Sequence, residues 1–116
     1  MILTNEKMFN SMLVLNQLEE KGVLGFAIAQ NRRKLAEELR EYTAKRDELL
    51  EAHGKSEGDG KYSLDPEAVA AFSSALRPFA EMTADVNVRQ VSEADFCSGS
   101  LTSSQMLALD WMVKED

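Results

Sequence analysis

The side chains able to do chemistry are few. His53 is the single histidine and Cys97 the single cysteine in 116 residues. His53 stands directly before Gly54, where an imidazole serves the last carbonyls of a helix more readily than it transfers protons. Cys97 precedes Ser98-Gly99-Ser100 with no base nearby in sequence. A nucleophilic thiol needs a neighbour that lowers its pKa, so Cys97 reads as a semi-buried, inert thiol. Glu57-Gly58-Asp59-Gly60 has the look of a calcium loop and fails as one. Setting Gly60 at the loop's invariant glycine puts Lys55 at the first ligand and Pro66 where a bidentate Glu belongs. The pairs Glu19/Glu20 and Glu37/Glu38 point in different directions on a helix, which makes them poor acid–base partners. With no zinc cluster, phosphate loop or nucleophile elbow, the expectation is no enzyme, no metal and no cofactor.

Side chains suited to contact are more numerous. Arg32-Arg33-Lys34, beside Gln30 and Asn31, form the one basic cluster. They could hold a phosphate or an acidic partner, or form the solvated shoulder of a helix. Met8, Met12, Met106 and Met112 could make an adaptable packing surface, with core filling as the default. The residues singled out for a partner are Arg32, Arg33, Arg40, Arg46, Val86, Val88 and Trp111.

The elements that position them follow from periodicity and punctuation. Met8, Met12, Leu15 and Leu18, widened by Phe9 and Leu13, predict a helix over 5–21 that ends at Gly22 in the left-handed position. Ile28, Leu35, Leu39, Tyr42 and Leu49 predict one long helix over 25–53, ~40 Å in length, with part of it projecting or packed on a partner. Asp59-Gly60 favours a tight reversal with positive φ, and 62–64 a short strand leaving it. Asp65 and Pro66 mark an N-cap and first turn. Val69, Phe72, Leu76 and Phe79 give the stripe of that helix, which must kink or restart at Pro78. Val86 and Val88 alternate with polar neighbours, as a half-buried strand over 85–91 would. That strand pairs with 62–64 or with another chain. Thr102 and Gln105 form a capping box, stapled by Leu101 and Met106, that opens the last helix.

Thirteen Lys and Arg against twenty Asp and Glu leave a formal charge of −7. Residues 31–52 carry six bases and six acids, so the excess falls elsewhere. Within that segment bases lead and Asp47, Glu48 and Glu51 trail, an order that would let the helix pair antiparallel with a copy of itself. Solvated surface composition alone is the default explanation. An acidic balance argues against sequence-independent nucleic-acid binding. The 44% apolar content fills a core in a chain that buries roughly two-thirds of its unfolded surface. No stretch reaches the ~20 apolar residues of a membrane span, and the opening residues lack a signal-peptide pattern. A bacterial cytoplasmic setting is expected.

The order of features resembles a known family. Phe26-Ala27-Ile28-Ala29-Gln30-Asn31 leads into Lys34-Leu35-Ala36-Glu37-Glu38-Leu39. Tyr42-x-x-x-Arg46-x-x-Leu49-Leu50-Glu51 and His53-Gly54 come next, and Leu101-Thr102-x-x-Gln105-Met106-x-Ala108-Leu109-x-x-Met112 closes the chain. The pattern is similar to small uncharacterised proteins encoded by tailed phages and prophages of Gram-positive bacteria. That family more often has Tyr-Gly where His53-Gly54 stands. The resemblance implies a late-gene, virion-assembly or lysis-neighbourhood setting, with localisation in the host cell or on the virion. It transfers no catalytic residue.

The sequence therefore predicts a mainly α (α+β) fold in one domain over 1–116. A long helical hairpin (1–53) is followed by a polar turn (54–64), then a helix, a short strand and a C-terminal helix (65–116). The expected function is non-enzymatic: an accessory protein acting through protein–protein contact, in virion or tail assembly. The expected partner is a second copy or a phage structural protein, without nucleic acid or membrane. The alternative is an acidic inhibitor or regulator of a host nucleic-acid enzyme, and behind it stands a small metal-dependent hydrolase.

Overall fold

The computed structural model describes residues 1–115. It is mainly helical, with two small antiparallel sheets of two strands each. Strand β1 (Ile2–Thr4) runs straight into helix α1 (Asn5–Leu15). The Thr4 side chain caps α1 by accepting from the Lys7 N–H at 3.0 Å. Met8, Ser11 and Leu15 form its buried line. The helix stops six residues short of the expected end, and a partner from elsewhere explains why. The Arg32 guanidinium donates to the Leu15 carbonyl at 2.6 Å and to the Leu18 carbonyl at 3.0 Å. Terminal carbonyls that a further turn would have satisfied are thus met by a side chain. Gly22 does take positive φ, +68°, but at the entrance to the next helix.

The predicted long helix is two helices. α2 (Gly22–Glu38) and α3 (Arg40–His53) meet at Leu39, whose φ of −84° and ψ of −1° leave the α region for the bridge region. Together they would measure ~48 Å at 1.5 Å per residue, close to the 45 Å long axis of the molecule. α2 buries Leu24, Ala27, Ile28, Asn31 and Leu35. α3 buries Tyr42 alone among its described residues.

From the end of α3 the chain reverses through strands β2 (Lys55–Gly58) and β3 (Lys61–Ser63). Asp59 and Gly60 between them have φ of +51° and +72°, the paired positive values of a type I′ turn. Helix α4 (Pro66–Ala80) then returns along α3, capped by Asp65, whose carboxylate accepts from the Ala68 N–H. Pro78 neither ends nor restarts α4. It lies in the last turn, so a single helical donor is missing before the helix finishes at Ala80. Met82 falls outside and is exposed.

Strand β4 (Thr83–Asp85) pairs antiparallel with β1 in the register Ile2↔Asp85, Leu3↔Ala84, Thr4↔Thr83. The strand expected over 85–91 does not form: β4 ends at Asp85, and beyond it only Val91 makes an isolated bridge, to Val113. The partner of β4 is the start of the chain, while Tyr62 and Ser63 belong to the hairpin. Helix α5 (Glu93–Cys97), capped by Ser92, was not foreseen. Helix α6 (Ser103–Ala108) begins with the expected capping box: Thr102 Oγ1 accepts from the Gln105 N–H, and Gln105 Oε1 from the Thr102 N–H. It is short, and a 3-10 turn (Asp110–Met112) carries Trp111 and Met112 into the core. Among the described residues no helix is long and apolar enough to cross a membrane.

Candidate partner-binding surface

The basic cluster is largely turned inward, onto backbone. Asn31 is fully buried, and its amide meets both main-chain groups of Arg89. Nδ2 donates to the Arg89 carbonyl at 2.9 Å, and Oδ1 accepts from the Arg89 N–H at 2.7 Å. Lys34 Nζ donates to the Asn87 carbonyl at 2.6 Å, and Arg89 Nε donates to Gln30 Oε1 at 2.8 Å. Side chains of α2 thus clasp the extended segment 86–91 where a neighbouring strand would otherwise bond. The valine alternation reflects this half-burial: Val86 is buried and Val88 half-buried, while Asn87 and Arg89 are exposed. The far end of the segment is held by the C-terminal residues. The Val91 N–H donates to the Met112 carbonyl, and the Lys114 N–H to the Val91 carbonyl.

Three of the seven residues singled out for a partner therefore sit inside the fold. Arg32 caps α1 and leaves its own Nε buried without a partner. Val86 is in the core. Trp111 is buried, its indole N–H donating to Ser11 Oγ at 2.9 Å while that hydroxyl donates to the Lys7 carbonyl at 2.7 Å. Arg33 is exposed. Arg40 and Arg46 come to one surface.

That surface is built around Phe9 of α1. The ring meets Tyr42 of α3 edge-on, with centroids 5.9 Å apart at 72°. The Arg46 guanidinium lies 4.8 Å from the Phe9 centroid and 5.8 Å from that of Phe72 on α4, within reach of cation–π attraction to both. An open groove of about 570 Å³ follows this stack, walled by Glu6, Phe9, Tyr42, Arg46, Phe72 and Leu76. A second groove of about 360 Å³ also has Phe9 as a wall, with Met12, Leu13, Leu39, Arg40 and Thr43. Leu13 at its edge is 51% exposed. Burial pushes the Tyr42 phenol above its ordinary pKa, with Arg46 pulling it back and Glu6 adding to the rise. In the sequence Phe9, Tyr42 and Phe72 stand out only as residues of apolar stripes. Charge alone marks Arg40 and Arg46; one groove exists because α1 meets α3 and α4, the other because α1 crosses the α2–α3 bend.

The reactive side chains remain apart. His53 ends α3, and its imidazole makes no hydrogen bond among the described residues. Cys97 is exposed, not semi-buried as expected. No three His, Cys, Asp or Glu groups among the described residues are placed to hold a metal ion. Asp47, Glu48 and Glu51 line an open cleft of about 690 Å³ between α3 and the hairpin, facing Lys61 and Tyr62. Other carboxylates are engaged within the chain. Glu20 accepts from the backbone and hydroxyl of Ser100, and Asp110 and Glu81 pair with Lys7 and Arg77. No protein-family model, curated protein or solved structure matches this chain.

Proposed function

We propose that this chain is a non-enzymatic accessory protein that acts by binding another protein, through the two grooves that share Phe9. The observation that carries the reading is the arrangement at that ring. Two open grooves meet there, one mainly apolar and edged by the exposed Leu13, and each brings a guanidinium, Arg40 or Arg46, beside the Phe9 ring. Apolar floors rimmed by arginine and aromatic groups suit a protein side chain better than a reaction. On this reading the partner is a virion or tail-assembly component, the setting that the resemblance to small phage and prophage proteins implies.

A photo-crosslinking residue at position 13, introduced in cells that make the protein, tests this. One discrete adduct is expected, weakened at least tenfold by Arg40→Glu. A diffuse smear, no adduct, or one indifferent to Arg40→Glu overturns the assignment. Light scattering on the purified protein then decides the class of partner, since a mass of twice 12.9 kDa would make it a second copy.

A further inference from the structure

A second surface, sharing no lining residue with the Phe9 grooves, has the opposite electrostatic character from the chain as a whole. It lies where the start of α2, the clasped segment 86–91 and the C-terminal residues meet. Two adjoining clefts, about 230 and 300 Å³, have Arg89, Gln90 and Lys114 in common. Val23, Phe26, Ala27 and Val91 complete the first, and Lys34 joins the second. Among the described residues no carboxylate lines either cleft. None of Lys34, Arg89 and Lys114 has a carboxylate partner among the described residues. Beside these three cations, Phe26 is 63% and Val23 59% exposed. In a chain of formal charge −7, this is a local basic rim around an apolar floor.

We propose that this face binds an acidic protein segment carrying one apolar anchor side chain. The anchor would sit in the Val23/Phe26 cleft, and flanking carboxylates would meet Lys34, Arg89 and Lys114. Charge complementarity selects the sign of the segment. The cleft is smaller than the ~300–1,000 Å³ typical of small-molecule pockets and takes a single side chain. A nucleic acid would need a longer track of cations to offset repulsion from the rest of the chain, and the clefts offer three. The clasp also makes the face rigid, because Asn31 and Lys34 hold the backbone of Asn87 and Arg89 in place. Preorganisation of this kind lowers the ordering cost of binding.

Selection of a random peptide library on the immobilised full chain tests the assignment. Enriched peptides should combine two or more Asp or Glu residues with a Phe, Leu or Met. Their affinity should fall at least tenfold in the Phe26→Ala variant and in the Arg89→Gln/Lys114→Gln variant. It should also fall between 50 and 300 mM salt. Both variants alter exposed side chains, and circular dichroism verifies that they fold. Leu13→Ser and Arg40→Glu, which touch only the Phe9 grooves, should leave these peptides bound, so the two surfaces are judged separately. Enrichment of neutral or basic peptides, no enrichment, or binding that survives both variants overturns the proposal. So does a single-stranded oligonucleotide that binds more tightly than the selected peptides.

Discussion

The two halves of the bent helix differ in composition and in circumstance. α2 is uncharged from Gly22 to Asn31 and confines its charges to Arg32–Glu38, whereas α3 interleaves acids and bases along its length; α2 buries five residues where α3 buries one. Their cations differ in the same way. Arg32 and Lys34 on α2 donate to main-chain carbonyls far along the sequence, which ties α1 and the segment 86–91 to one body. Lys45 and Arg46 on α3 lie over the rings of Phe79, Phe9 and Phe72, and the hairpin beyond is wholly outside the core. Among the described residues between 43 and 79, Phe72 alone is buried. The molecule is therefore a dense body with a thin arm of α3, β2, β3 and α4. Helical amphipathicity does not separate the two. What separates them is the uncharged, largely apolar first half of α2, together with whether polar side chains find buried backbone to bond.

Matched truncations on the two halves should break the comparison if it is wrong. Leu35 in α2 is fully buried, so Leu35→Ala should cost about 2–5 kcal/mol through lost burial and a residual cavity. Leu49 in α3 is half-buried, and Leu49→Ala should cost about 1 kcal/mol. Urea midpoints measure both, and equal costs would remove the distinction between body and arm. Next in size is the clasp. Asn31→Ala leaves the Arg89 N–H and carbonyl without their partner, a penalty of about 2–3 kcal/mol. Hydrogen exchange should show the Arg89 amide losing protection while the α3 amides keep theirs.

The contrast also explains what could be read from the sequence. Asp65-Pro66, Asp59-Gly60 and the Thr102/Gln105 box were readable because each signal acts within three residues. The mainly α class with a small β component followed from the same local signals. The end of α1 was not readable, because the group that satisfies its carbonyls comes from Arg32. The partner of β4 was not readable either, because Ile2 and Asp85 are 83 positions apart in sequence yet paired in register. Val86 and Val88 show the limit well. Their alternation correctly reports one face toward the core, but says nothing about whether a strand or an asparagine amide lies alongside. At the candidate surface, charge was enough to mark Arg40 and Arg46. The convergence on Phe9 depends on where three helices cross.

A smaller effect should appear where arm meets body. Arg46 is the side chain that bridges a ring of α1 to a ring of α4, so Arg46→Gln should cost about 1 kcal/mol, the scale of partly exposed cation–π contacts. The loss should be local. Faster exchange is expected across α4 with α2 unchanged, and uniform acceleration would mean that arm and body unfold together.

The smallest predicted effect is alkaline and belongs to Tyr42. Burial favours the neutral phenol and outweighs the attraction of Arg46 for the phenolate, so the folded pKa lies above the unfolded value of 10.0. The folded state consequently holds its proton to higher pH than the unfolded chain does. Below pH 10 this contribution is fully present. It is lost as pH rises through the folded value, because ionisation then stabilises the unfolded chain first. Tyr42→Phe should flatten part of the stability decline above pH 10 while leaving stability at pH 7 nearly unchanged. Arg46→Gln should act in the opposite sense on the phenol itself, raising its pKa further by removing the one neighbour that favours phenolate. Absorbance titration near 295 nm reads that shift, with the Tyr42→Phe curve identifying the Tyr42 component. A downward shift in Arg46→Gln would mean that the guanidinium does not face the phenol. The stack joining the arm to the body would then be held by the rings alone.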